Sequence, residues 1–320
     1  MAFANISDIL ATTIENRSKK VADNVTDNNA ILKRLSEKGN IKTFSGGSKI
    51  LQELSFAENA NFGWYSGYDI LPVGVSDVIS AAEYDICQAA APVVMSGLEM
   101  LQNAGKEKMI DLMDARLSVA ESTMANQISV GLYSDGSGSA NKELDGLDKA
   151  ISATNTYGGI DRTAAVGTFW KSYVDATPAT ATNIDGLFND AWASLVRGND
   201  RPDLIMVDNF MWKFYIESLQ AFQRFTSTDS AGLGFPSLKY MDADVVLDGG
   251  IGGAATGYTA YFLNTDYIHY RPHAKRNMVP LSPNRRYATN QDAEVQILAW
   301  AGNLTTSGAK FQGRIDGVTP

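Results

Sequence analysis

Apolar residues recur at Ile110, Met113, Leu117, Ala120, Met124 and Ile128. That spacing predicts one long amphipathic helix from Lys106 to Tyr133. No Pro interrupts it. Gly131 and the run Ser134-Asp135-Gly136-Ser137-Gly138-Ser139 form a stop signal at its end. At 1.5 Å per residue the helix spans on the order of 40 Å, long for a globular protein.

Before this helix the pattern is thinner. Met1 to Gly39 is polar and helix-leaning, with Ile31, Leu32 and Leu35 giving a turn and a half of amphipathic helix stopped by Gly39. It has too few apolar residues for a core of its own and predicts an arm that lies on something else. Ile50, Leu54 and Phe56 then alternate with polar neighbours, the period of a strand. Gly46-Gly47 precede them, and Glu58-Asn59-Ala60-Asn61 follow. Phe62, Trp64, Tyr65 and Tyr68 stand next, among Gly63 and Gly67. A free-standing hairpin is too thin to bury these rings. They pack either on the body of the same chain or on a neighbouring subunit. Val78, Ala82, Tyr84 and Ile86 alternate with Glu83 and Asp85, the pattern of a further strand, although the many alanines here also permit a helix, and Pro92 limits either.

After the helix, elements alternate. Leu144 to Ile151 is a short amphipathic turn. Thr182 to Arg197 predicts a helix whose buried face is Ile184, Leu187, Phe188, Ala191, Trp192 and Leu195, with Thr182 and Asp185 spaced as a capping box. Pro202 to Asp208 predicts a buried strand and Asn209 to Phe222 a helix. Ala243 to Asp248 and Ala260 to Asn264 predict strands joined by the Gly249 to Gly253 loop, and Ala293 to Leu304 is again strand-like. The order is that of an α+β protein with ample length for a core.

Composition narrows the function. In 320 residues, 44% are apolar and 20% charged, as in soluble globular proteins. The net charge of -9 argues against general phosphate binding, which needs clustered Lys and Arg. Cys87 is the sole cysteine, so neither an intramolecular disulfide nor a Cys-based metal site is expected. Met1 to Ile14 lacks the pattern of a secretory signal, and no apolar run approaches the ~18 residues of a membrane span. A soluble cytoplasmic product without a membrane partner is expected.

No candidate chemistry survives inspection. The loop at Gly249 to Gly253 is followed by Ala254-Ala255-Thr256, where a phosphate loop needs Gly-Lys-Ser/Thr. His269 and His273 have metal-ligand spacing for a helix, but Pro272 lies between them in an extended-looking segment. Asp135-Gly136-Ser137-Gly138 lacks the alternating acids of a calcium loop. No Gly-x-Ser-x-Gly elbow nominates a nucleophile. The expectation is no catalytic residue, no metal and no cofactor. One basic patch remains: Arg271, Lys275, Arg276, Arg285 and Arg286. It suits nucleic acid, plain solvation, or ion pairing with an acidic neighbouring subunit.

The order of these elements resembles the major capsid proteins of tailed bacteriophages, including a prophage-type subgroup. The resemblance rests on Leu132-Tyr133-Ser134-Asp135-Gly136 with Leu144-Asp145-Gly146-Leu147, on Tyr157-Gly158-Gly159-Ile160-Asp161-Arg162 before Phe169-Trp170, and on Pro202 to Asp208 followed by Phe235-Pro236-Ser237-Leu238. It implies the phage major capsid shell fold of the Hong Kong ninety-seven type. An N-terminal arm would span 1–40, an extended loop 41–74, a peripheral domain with a long spine helix 75–141, and an axial domain 142–283. Residues 284–320 would return to the peripheral domain. The implied function is a non-enzymatic subunit assembling as pentamers and hexamers into an icosahedral shell around double-stranded DNA in a virion, made in the bacterial host cytoplasm. Its partners would be other copies of itself, a scaffold, a portal and decoration proteins. Phe56, Phe62, Trp64, Tyr65 and Tyr68 would meet neighbouring subunits, with Gly46, Gly47, Gly63 and Gly67 letting the loop tilt. An encapsulin-type compartment resembles the same fold, and an α+β ligand-binding or catalytic protein is the remaining class. Some members crosslink a loop Lys to a neighbour's Asn. Lys42 and Lys49 lie in the corresponding region, but no Asn or Glu partner aligns.

Overall fold

A computed structural model describes residues 29–71, 73–102, 106–220, 237–248, 255, 257–281, 286–287 and 293–317. The chain opens with α1 (Ala30–Glu37), β1 (Ile50–Ser55), β2 (Ile79–Tyr84), β3 (Cys87–Ser96), α2 (Gly97–Gln102) and the long α3 (Lys106–Gly131). Next come β4 (Thr156–Tyr157), β5 (Ile160–Asp161), β6 (Tyr173–Asp175), α4 (Ile184–Leu195), β7 (Leu204–Val207) and α5 (Asn209–Gln220). The last strands are β8 (Ser237–Tyr240), β9 (Ala243–Leu247), β10 (Thr259–Leu263), β11 (Ile268–Pro272), β12 (Val279–Pro280), β13 (Arg286–Tyr287), β14 (Ala293–Thr306) and β15 (Gly313–Asp316).

Two sheets organise these elements. In the first, β14 is the centre, paired antiparallel with β3 along one edge and with β11, β12 and β13 along the other. The second has the order β6-β15-β10-β7-β9-β8, mixed in direction, with parallel pairs β15–β6 and β7–β9. β1 and β2 form a separate antiparallel ribbon.

The long helix α3 packs on β3. Leu117, Ala120, Met124 and Ile128 are buried, as the stripe requires, while Val119 on another face is exposed. The Ile110 and Met113 side chains lie outside the described set. β7 shows why Leu204 to Val207 is an unbroken apolar run. Ile205 and Val207 face the core beneath α4 and α5, with Phe188 and Tyr215. Leu204 and Met206 face the other way, into the core shared with α3 and the first sheet. A strand buried on both faces loses the alternation of a half-exposed one.

Four expectations need correction. The extended ribbon does not end near residue 74: its return strand is β2, in register from Ser55↔Ile79 to Ile50↔Tyr84. β11, expected in the axial domain, pairs with β14 of the first sheet. The tail does not stay there, because β15 inserts between β6 and β10 of the second sheet. Both exchanges depend on long-range pairing, which composition does not encode. Finally, Thr182 and Asp185 form no capping box. Asn183 precedes the helix with no capping bond, and Asp185 accepts from Ser218 Oγ at 3.0 Å. The Gly249 to Gly253 loop and Met1 to Asn28 lie outside the described residues.

The end of the arm is docked on its own chain. Asn29 caps α1 through bonds from Ile31 N and Leu32 N. Ile31, Leu32 and Leu35 are buried in the first core. Arg34 and Lys38 reach Asp203 at 3.0 and 3.1 Å, and Lys38 also reaches Asp266 at 2.7 Å. Burial pushes the Asp203 carboxyl up, but Thr265 N–H and Oγ, Lys38 and Arg34 outweigh it and hold it below the usual carboxylate range. Its folded value is depressed, so its stabilisation is present above the unfolded value of about 4 and is lost as pH falls through the folded one. Amide exchange across residues 30–37 should therefore accelerate below about pH 4 relative to β7. Equal acceleration in both elements would show that the ion pairs do not hold the helix.

Candidate assembly surface

The β1–β2 ribbon is anchored at one end and bare at the other. At the base, Ile50, Leu54, Ala82 and Tyr84 are buried. Tyr84 Oη donates to Thr306 O at 3.1 Å, and Glu83 N donates to Gly158 O at 3.0 Å. Gly158 has φ +61°, and a Cβ there would stand 2.8 Å from the Ala82 Cβ, so this approach requires glycine. Arg271 Nη2 donates to Gln52 Oε1 at 2.6 Å, and Lys49 pairs with Glu83 at 2.8 Å.

Beyond Ser55 the chain is extended and closed on itself by polar bonds. Asn61 Nδ2 donates to Gly74 O at 2.6 Å, and Asp69 Oδ2 accepts from Ser66 N at 2.8 Å. The rings stay outside. Phe62 is 75%, Trp64 95% and Tyr65 66% exposed, and Tyr68 is fully exposed. Ile70, Val73 and Val75 are exposed beside them. Of the two placements left open by the sequence, packing on the same chain is not the one adopted. Phe56 differs: it is half-buried and lies 5.6 Å from the Phe169 ring of its own chain, so it does not belong to the bare tip. Of the loop glycines, Gly47 and Gly67 adopt positive φ, whereas Gly46 and Gly63 do not.

The basic patch is partly assembled by the fold. Lys275 and Arg276 are exposed on the turn after β11, and Arg271 is half-buried by its contact with Gln52. Arg285 lies outside the described residues, as does the Arg286 side chain. One cation missed as part of this group joins it. Lys42 N donates to Tyr270 O, Phe44 N to Pro272 O and Ala274 N to Phe44 O, which lays residues 41–44 along β11.

The remaining candidates are structural. His269 is buried in β11, and burial, then Lys42 and Arg271, push its imidazole down to about 4, so it is neutral at pH 7. His273 stands edge-on to Phe44, its ring 5.0 Å away. The two histidines lie on a strand and its following bridge, not on one helical face. Burial pushes the Cys87 thiol up to about 11, and its Sγ donates to Glu143 O. Such a thiol is unreactive near neutrality. Among the described residues no three His, Cys, Asp or Glu side chains group as a metal site, and no helix is long and apolar enough to cross a membrane.

A docked arm, an anchored ribbon with a bare tip, a long helix on one sheet and a second mixed sheet together define a class: the phage major capsid shell fold of the Hong Kong ninety-seven type. Solved structures share it. The chain is similar to one from the cyanophage A-1(L) capsid asymmetric unit, with a TM-score of 0.60 and 17% identity, over 88% of this chain and 91% of that one. It is similar to the capsid of the native GTA particle, at a TM-score of 0.61 and 12% identity over 89% and 90%. The holo-SrpI encapsulin complex from Synechococcus elongatus PCC 7942 also matches, at 0.54 and 9% over 87% and 85%. No family model matches the sequence. No curated protein matches it either.

Proposed function

We propose that this chain is a major capsid protein, a structural subunit that assembles as pentamers and hexamers into an icosahedral virion shell enclosing double-stranded DNA. The observation that carries the reading is the bare aromatic tip on a chain with a shell fold. Burying one such ring contributes about 2 kcal/mol, so a fold that leaves four exposed is completed by association. A contact between the loop of one copy and the body of the next is head-to-tail, and such contacts close into rings when the rotation permits. The net charge of -9 suits a container that holds DNA without gripping it. A scaffold, a portal and decoration proteins are the further partners that this reading implies.

Trp64→Ala should leave the melting temperature of the isolated subunit within about 2 °C, since Trp64 touches little of its own chain. The same change should weaken each subunit contact by about 2 kcal/mol, read by light scattering as loss of shells at concentrations where the parent chain assembles. Unchanged assembly would remove the loop from the interface.

The encapsulin match supports a second reading, a protein compartment with a protein cargo. Electron microscopy of purified particles with a nuclease-protection assay separates them. Protected double-stranded DNA supports a capsid. DNA-free shells around a protein cargo support the compartment. A protein that stays monomeric under all assembly conditions contradicts both.

A further inference from the structure

The loop and the basic rim are opposite in character. From Ile50 to Gly105 the sequence holds no Lys or Arg, and the acids flanking the aromatic tip are Glu58, Asp69 and Asp77. All three are exposed. Among the described residues Glu58 meets only Arg197, at 4.0 Å and with both side chains solvated, and Asp69 is used within the loop by Ser66 N. The rim formed by Lys42, Lys275 and Arg276 is exposed too, and none of these three pairs with a carboxylate among the described residues. Beside the cations lies an apolar shoulder, the Phe44 and His273 rings.

On one chain the two surfaces do not meet. The ribbon leaves the rim at the Gln52–Arg271 contact, the three further residues of β1 at about 3.3 Å each carry the chain on the order of 10 Å away, and the aromatic tip lies beyond them. We propose that the receptor for the acidic, aromatic loop is the Lys42–Lys275–Arg276 rim of a second copy of this chain. This rests on the shell-subunit reading and names the partner surface of its loop. Trp64 and Tyr65 supply faces for the Lys275 ammonium and the Arg276 guanidinium, while Glu58 and Asp77 supply counter-charges. The contact joins unlike surfaces, so every subunit gives a loop and receives one.

Charge reversal tests this on the full-length chain. Among the described residues Lys275 and Arg276 form hydrogen bonds through their backbone atoms and not their side chains, so the pair K275E/R276E should fold as the parent does. Its critical concentration for assembly should rise by roughly tenfold or more, and the parent's should rise with salt as the Debye length shrinks. Adding E58K/D77K to K275E/R276E swaps the sign on both sides of every contact and should restore assembly, whereas E58K/D77K alone should not assemble well. If the parent forms shells and K275E/R276E forms them equally at low and high salt, the rim is not the receptor, although the shell reading stands. If the fourfold variant fails to regain assembly while its subunit remains folded by circular dichroism, the pairing is also wrong. A parent that never assembles overturns the shell reading and this one together.

Discussion

Leu117→Asp leaves no folded subunit. Leu117 is 0% exposed at the middle of α3, within the core that joins the long helix to the first sheet. The change removes a buried aliphatic side chain and puts a carboxylate in its place. The lost burial is worth about 2–3 kcal/mol, and an unpaired buried charge adds several more. A sum above about 4 kcal/mol approaches the whole stability of a typical domain. Far-ultraviolet circular dichroism should show loss of helix, and the protein should be recovered insoluble or unfolded. A cooperative melt within a few degrees of the parent would mean that α3 does not depend on its buried stripe. The contrast with Trp64→Ala is one of burial: Leu117 sits in the core of the subunit, whereas Trp64 is 95% exposed on it.

Arg162→Met should lower stability by about 3–5 kcal/mol, measured as a shift in the urea midpoint at unchanged slope. Arg162 is fully buried, without a carboxylate partner among the described residues. Its guanidinium donates instead to backbone carbonyls: Nε to Trp170 at 2.9 Å, Nη1 to Lys149 at 3.0 Å, and Nη2 to Ala150. The Tyr157 ring lies 5.5 Å from its charge. Burial pushes its pKa down to about 10, and Tyr157 and Tyr84 offset part of that, so it stays charged at pH 7. Methionine fills similar space but takes the guanidinium's donors from four carbonyls, that of Asn155 at 3.5 Å included, where the chain turns from the long helix into the second sheet. A loss below about 1 kcal/mol would mean that water replaces the guanidinium at no cost.

These two residues differ in how legible they were. Leu117 follows from spacing, because a helix repeats every 3.6 residues and one stripe must face a core. Arg162 did not. It stood in the sequence only within Tyr157-Gly158-Gly159-Ile160-Asp161-Arg162, a stretch noticed by resemblance. Its role comes from carbonyls eight to thirteen residues away that no local rule brings together. Likewise Gly158 stood in that same stretch, and its close approach to Ala82 ties the ribbon's base to the β4–β5 hairpin.

What the sequence by itself determined was local: the long helix and its buried face, the strands at Leu204–Val207, Ala243–Leu247 and Thr259–Leu263, and an aromatic stretch too thin to bury itself. Each depends on periodicity or composition within a few residues. Only the tertiary structure decided that the aromatics stay bare, that β11 and β15 exchange sheets, that the arm's last helix docks on Asp203, and that Lys42 joins Lys275 and Arg276. Those outcomes hang on backbone pairing and charge contacts between residues tens to hundreds of positions apart, where the identity of one partner says little about which other residue it will meet.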